Sequence, residues 1–276
     1  MTRTTDISTV TRQFYNVQDE NRWGREAIPD YQPLVESLLQ RIVADSRGIV
    51  VELGCGRGAF GYLARRYAYL GIDIPFGALQ QYMVANCGVQ ADIAFLPVAS
   101  LTVDFVFSFA TLEHVPDPEI VLKEIHRVLK PGGAALIAPA WFCRPWASKG
   151  LPVRSYADLS LGDKMRKGVI PIRNHLLWRA LFVTGRRFSR EIHYHVNSEN
   201  WKFRYKKLKP NLTEYIYTDC DAFSSLDPHE VALLFKSWGY QIPLASTLAK
   251  RLMLRHAPLL LRKPLQDASN PVRKAA

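Results

Sequence analysis

The densest chemical signal in the 276-residue chain is Glu52-Leu53-Gly54-Cys55-Gly56-Arg57-Gly58-Ala59, followed later by the acid Asp73. Glycines at this spacing let a backbone turn sharply and approach a ligand without Cβ interference, leaving amides and a helix N-terminus exposed. Three readings fit. The loop is a tight strand-to-helix turn and nothing more. Or, as G-x-G-x-x-A with Asp73 for a ribose, it cradles a dinucleotide such as NAD. Or, as E-x-G-x-G-x-G, it sets the Glu52 carboxylate beside a cationic ligand, a position ill suited to a pyrophosphate.

The elements that must hold this loop are legible around it. Ile49 to Leu53 is a short β-branched run that stops at the glycines, so it reads as a strand, and Tyr62 to Arg66 reads as the helix after it. Further strands are expected at Tyr69–Ile74, Val89–Phe95, Val103–Phe109 and Ala134–Pro139, with helices at Phe76–Cys87 and Pro118–Leu129. Upstream, Leu34, Leu38 and Ile42 recur at helical spacing. Alternation of this length implies βαβ units, hence an α/β, doubly wound, mostly parallel sheet. After Pro139 the rhythm stops and resumes at Asp227-Pro228-His229-Glu230, a helix start running to about Trp238, followed by strands at Tyr240–Leu244 and Pro258–Arg262. The expected organisation is N-terminal helices forming a lid over 1–47, a core of 48–140 and 226–265, an insertion over 141–225, and a frayed tail over 266–276.

Composition narrows the class. Apolar residues make up 48% and charged residues 22% of the chain, which excludes a disordered or fibrous protein. No apolar run reaches membrane-spanning length and the first thirty residues are polar, so a cytoplasmic location is expected, with peripheral attachment to the inner membrane face as a variant of it. Cys55, Cys87, Cys143 and Cys220 form no C-x-x-C pair, so free thiols are expected and no metal site. The net charge of +11 is unevenly placed: −3 over 1–140, +9 over 141–225 and +5 over 226–276.

Glu52-Leu53-Gly54-Cys55-Gly56-Arg57-Gly58, Gly71-Ile72-Asp73-Ile74, Ala91-Asp92-Ile93-Ala94-Phe95-Leu96-Pro97, Asp104-Phe105-Val106-Phe107-Ser108, Leu112-Glu113-His114-Val115 and Leu129-Lys130-Pro131-Gly132-Gly133 stand in order. Together they resemble the class I S-adenosylmethionine-dependent methyltransferases, most of all the small-molecule, type 11-like branch. The resemblance covers the core sheet and, more weakly, 227–263. It implies S-adenosylmethionine as cofactor, with Gly54, Gly56 and Gly58 under its methionine part and Glu52 near the ammonium group. It further implies Asp73 on the ribose hydroxyls, Ile74 against adenine, Asp92 accepting from the adenine amino group and Ile93 beside it. Tyr15, from the preceding helices, is placed over the cofactor by the same likeness.

Methyl transfer from a sulfonium is a displacement at an activated carbon, so positioning supplies most of the rate, while an oxygen acceptor gains from a general base. His114, following the fourth strand, is the candidate base; a structural or water-binding role is the alternative. His193 and His195, if on a strand, share one face.

The acceptor should be read by the basic insertion, which leaves the C-terminal edge of the sheet, where doubly wound folds bind ligands. Arg186, Arg187 and Arg190, and Trp201-Lys202-Phe203-Arg204-Tyr205-Lys206-Lys207-Leu208-Lys209, join charge to aromatic faces. A small or lipid-linked acceptor at an anionic membrane surface fits, with Ile170–Arg190 as an interfacial helix and Arg255, Arg262 and Lys263 extending the patch. Pro145-Trp146-Ala147 and Ser225-Leu226-Asp227-Pro228 resemble phrases of methyltransferases of bacterial surface-glycan assembly, which implies oxygen methylation of a glycan precursor. Nucleic acid is the weaker partner, with Trp201, Phe203 and Tyr205 stacking RNA bases. An NAD-dependent oxidoreductase and a non-catalytic scaffold are the remaining alternatives.

Overall fold

The computed structural model describes residues 7–17, 30–43, 47–76, 79, 87–198, 201–214 and 216–265. Two N-terminal helices, α1 (Ile7–Val17) and α2 (Gln32–Ile42), precede a six-stranded sheet. Its strands are β1 (Ile49–Leu53), β2 (Ala68–Asp73), β3 (Gly88–Gln90), β4 (Val103–Phe109), β5 (Leu129–Ala138) and β8 (Leu259–Arg262), in the order β3-β2-β1-β4-β5-β8. All pairings are parallel except that of β8 with β5. This is the expected doubly wound, mostly parallel architecture.

The sheet feeds two cores, because successive side chains on its strands point to opposite faces. Val51, Leu53, Ile72, Val106 and Ile137 pack on one side, against helix α3 (Pro118–Val128) and helix α6 (Pro228–Ser237). Val50, Tyr69, Phe105, Phe107 and Leu136 pack on the other, against Val35 and Leu39 of α2. Asp117 starts α3 by accepting from the Glu119 amide at 3.1 Å, and Asp227 starts α6 by accepting from the His229 amide at 3.0 Å. Both caps precede a proline at the first helical position, where its missing N–H costs nothing.

Several expected elements come out differently. The third strand ends at Gln90 instead of Phe95, because Asp92 accepts from the Ala94 amide at 2.9 Å and its carbonyl from Phe95, turning the chain. Tyr62–Arg66 is a 3-10 turn over Gly61–Arg65. Tyr240–Leu244 shrinks to one antiparallel bridge, Gln241 with Arg262, since Pro243 carries no amide for a ladder and opens a 3-10 turn. The helix expected over Phe76–Cys87 falls largely on residues outside those described, as does the tail over 266–276.

Within 141–225 the chain forms a helical hairpin, α4 (Leu161–Asn174) and α5 (Leu176–Val196), and a two-stranded ribbon of β6 (Lys206–Lys207) with β7 (Ser224–Ser225). The single helix expected over Ile170–Arg190 is therefore two, broken at His175, whose ψ of 137° is extended. Tyr194, Trp201 and Phe203 of this segment are buried in the same core as Val231 to Phe235. A short helix α7 (Leu248–Leu252) braces α5. Among the described residues no helix is long and apolar enough to cross a membrane.

Candidate active site

The glycine loop leaves β1 in a conformation that glycine favours. Gly54 and Gly56 have φ of +74° and +50°, the left-handed region, and a Cβ on Gly54 would lie 2.1 Å from the Thr111 hydroxyl. A Cβ on Gly56 would meet nothing within 4 Å, so this side of the loop is open. The Gly54 and Cys55 amides both donate to the Ile72 carbonyl, pinning the loop to β2. Gly58, also at positive φ, donates its amide to the Cys55 carbonyl.

Asp73 closes the loop from the end of β2. Its carboxylate accepts from the Gly56 amide at 2.6 Å and the Ile74 amide at 2.7 Å. Burial pushes its pKa up and these two amides oppose that shift. Ile74 is half-buried beside it, and the Ala91 amide donates to the Asp73 carbonyl, which brings the Asp92 turn to the same edge. Ile93 is buried in the core below. Glu52 is buried within β1 and accepts from the Tyr69 hydroxyl. An open glycine cradle, a carboxylate fixed at the end of β2 and a second one at Asp92 fit S-adenosylmethionine: room beside the loop for its methionine part, acceptors for its ribose and adenine.

Across β4 lies a cluster that sequence reasoning found only in part. His114 Nδ1 is 3.2 Å from Asp221 Oδ2, and His114 Nε2 is 3.7 Å from Glu113 Oε1. The Tyr15 hydroxyl donates to Asp221 Oδ2 at 2.7 Å, and its ring meets the imidazole edge-on at 6.2 Å. Burial alone would lower the His114 pKa; Asp221, Glu113 and Asp219 overcome it and hold it above the usual value. Burial also raises the Tyr15 pKa, with the charges of Asp221, Glu113 and Asp73 adding to it. Tyr15 thus lies against the His114–Asp221 pair. Asp221, Asp219 and Glu113 were missed, the first two because nothing local in an irregular segment marks them. One local sign exists after the fact: Ala110, Phe142 and Asp219 hold φ of 46°, 65° and 58°, and such strain gathers at functional sites.

Cys143 joins this cluster to a cavity of about 1000 Å³ on its far side. Its thiol lies near Glu113, Asp219 and Asp221, which add to the rise in its pKa that burial begins. Trp146, Trp178 and Phe182 give the cavity aromatic walls, and seven arginines and Lys206 line it against one carboxylate, Asp227. Asp227 is committed to Arg187 at 2.7 Å and Arg190 at 2.8 Å. Among the described residues no carboxylate pairs with Arg173, Arg186 or Arg255.

Other expected features do not reach a site. His193 and His195 lie on helix α5, where two residues apart means different faces, and the strand geometry is corrected accordingly. Trp201 and Phe203 are buried in the core, so they are not free to stack bases. Arg187 is 2% exposed and is a structural ion-pair partner, not a surface charge.

Residues 51–137 match the family model for a methyltransferase domain. The chain is 30% identical over 166 residues to a malonyl-[acyl-carrier protein] O-methyltransferase of Marinomonas sp. (strain MWYL1), covering 50% of this chain and 60% of the relative. It is 28% identical over 131 residues to a ubiquinone biosynthesis O-methyltransferase of Pseudomonas paraeruginosa (strain DSM 24068 / PA7), covering 42% and 56%. A geranyl diphosphate C-methyltransferase of Streptomyces coelicolor A3(2), solved with Mg2+, geranyl diphosphate and S-adenosyl-L-homocysteine, is 14% identical, with a TM-score of 0.38, covering 59% of this chain and 78% of that one. The chain spans less than two thirds of the length of the curated relatives it matches.

Proposed function

We propose that the protein, whose residues 51–137 match the family model for a methyltransferase domain, transfers a methyl group from S-adenosylmethionine to an oxygen of an anionic acceptor, a small molecule or a lipid-carried glycan precursor. The observation that carries this reading is a buried cluster beside the arginine-lined cavity: Tyr15 bonds Asp221, Asp221 faces His114, and Cys143, near Asp221 and Glu113, lines the cavity itself.

When bound, S-adenosylmethionine supplies a methyl carbon already activated by its sulfonium. The chain's own task is placement. Asp73 and the Gly56 amide fix the donor edge; the cavity's cations and indoles hold the acceptor by its negative group and its apolar body. His114, oriented by Asp221, accepts the proton that the acceptor hydroxyl gives up as its oxygen forms the new bond. Tyr15 covers the gap from above and keeps water from it.

The test is transfer of a tritium-labelled methyl group from S-adenosylmethionine to a panel of sugar phosphates, sugars linked to polyisoprenyl phosphate, and RNA. Label is expected in the anionic sugar or lipid-linked fraction, falling about tenfold in Arg173→Gln/Arg186→Gln as charge-assisted bonds are lost. Label confined to RNA overturns the acceptor class.

A further inference from the structure

Helix α5 is mounted with its charged side inward. Arg187, Glu191 and Tyr194 are buried, and ion pairs from Arg187 to Asp227 and from Glu191 to Arg251, at 2.7 and 2.6 Å, hold that face. A face turned about 120° from it carries Leu177, Leu181, Phe188, Ile192 and Val196, between 51% and 75% exposed. At helical spacing these five fall within an arc of about 100°. Helix α4 has no buried residue and presents a second apolar stripe, Leu161, Met165, Val169 and Ile172. Side chains of this size in two adjoining stripes mark an interaction surface and not ordinary solvent-facing helix.

Charge decides what covers it. Between 161 and 196 eight Lys and Arg stand against Asp163 and Glu191. Asp163 is engaged by Lys149 and Arg166, and Glu191 by Arg251 beneath the helix. The outward field is positive, so two copies of this face repel, whereas a layer of anionic headgroups attracts it. Trp178 and Phe182, with ring centroids 4.2 Å apart, are exposed on the same hairpin and line the cavity together with Leu181 and Arg186. The apolar surface is therefore continuous with the cavity wall.

We propose that the α4–α5 hairpin docks the protein in the plane of an anionic phospholipid bilayer, its apolar stripes in the acyl boundary and its basic rim among the phosphates. The cavity wall then meets the lipid, the side from which an acceptor carried on a lipid arrives. Docking itself does not depend on the methyl-transfer reading.

Cosedimentation of the full chain with vesicles tests it, using phosphatidylcholine alone and phosphatidylcholine mixed with phosphatidylglycerol. The protein is expected to pellet with the anionic vesicles and not with the neutral ones. Leu177→Gln/Leu181→Gln/Ile192→Gln, all at exposed positions, is expected to lower partitioning at least about tenfold. Lys164→Gln, outside the cavity lining, is expected to lower it about fivefold. Pelleting that ignores lipid charge, or that survives the triple substitution, overturns the proposal. So does light scattering that shows a dimer split by the same substitution with no vesicle binding. Titration of each variant with S-adenosylmethionine, expected unchanged, separates failure here from failure of the methyl-transfer reading.

Discussion

Helices α3 and α5 are both amphipathic, and they lie in opposite senses. In α3 the apolar residues Val121, Leu122, Ile125 and Val128 are fully buried against the sheet. In α5 the apolar stripe faces out and the charged stripe is buried. The difference lies in what each helix meets. Opposite α3 stand the aliphatic side chains of β1, β4 and β5; opposite α5 stand Asp227, His229, Glu230 and Arg251. Amphipathicity states that two faces differ, and the surface across the gap chooses which one turns inward. That choice has electrostatic consequences. Burial would raise the Glu191 pKa, but Arg251 and His229 pull it below the usual value, while burial pushes His229 down to about 4 and Glu230 up to about 7.

The sharpest way to break this comparison is to remove a charge from the inner face of α5. Arg187→Ala leaves Asp227 with one partner fewer and the Leu252 and Leu254 carbonyls without their donor, so urea denaturation is expected to show a loss of about 3–5 kcal/mol. Leu181→Gln, on the outer face, should stay within about 0.5 kcal/mol of the parent. Equal costs would contradict the inward mounting of the charged face.

A second contrast sets His114, on the sheet side, against its partner Asp221, from the insertion. His114→Ala is expected to lower kcat by about a hundredfold with donor affinity unchanged. The sign of the pH dependence follows from the raised pKa of this imidazole. A base must be neutral to accept a proton, so the rate should climb with pH through an inflection above about 6.5. Asp221→Asn removes the anion that holds the charged form, and the inflection should move to lower pH. An inflection that does not move would show that Asp221 does not tune His114.

How much was legible in the sequence follows the same divide. Parallel strands buried on both faces are written in runs such as Val103–Phe109, and the glycine loop declares itself because the left-handed conformation at Gly54 and Gly56 favours glycine. Asp73 and His114 follow from their places at strand ends. The partners of His114 do not, since Asp219 and Asp221 reach it from an irregular segment about a hundred residues away in sequence. Nor does the orientation of α5: Arg187 reads as a solvated charge until Asp227 is seen across from it. The short third strand was hidden for a local reason, a side-chain turn at Asp92 competing with the ladder.

The central claim is that the loop after β1 and the carboxylate ending β2 hold the methyl donor. Calorimetric titration of the full chain and of Asp73→Ala with S-adenosylmethionine, and in parallel with NAD, tests it most directly. The account predicts saturable binding of S-adenosylmethionine and none of NAD, with affinity weakened by roughly 1.5–3 kcal/mol in Asp73→Ala, as loss of a charge-assisted hydrogen bond would require. Binding of NAD alone, or an unchanged affinity in the variant, would contradict it.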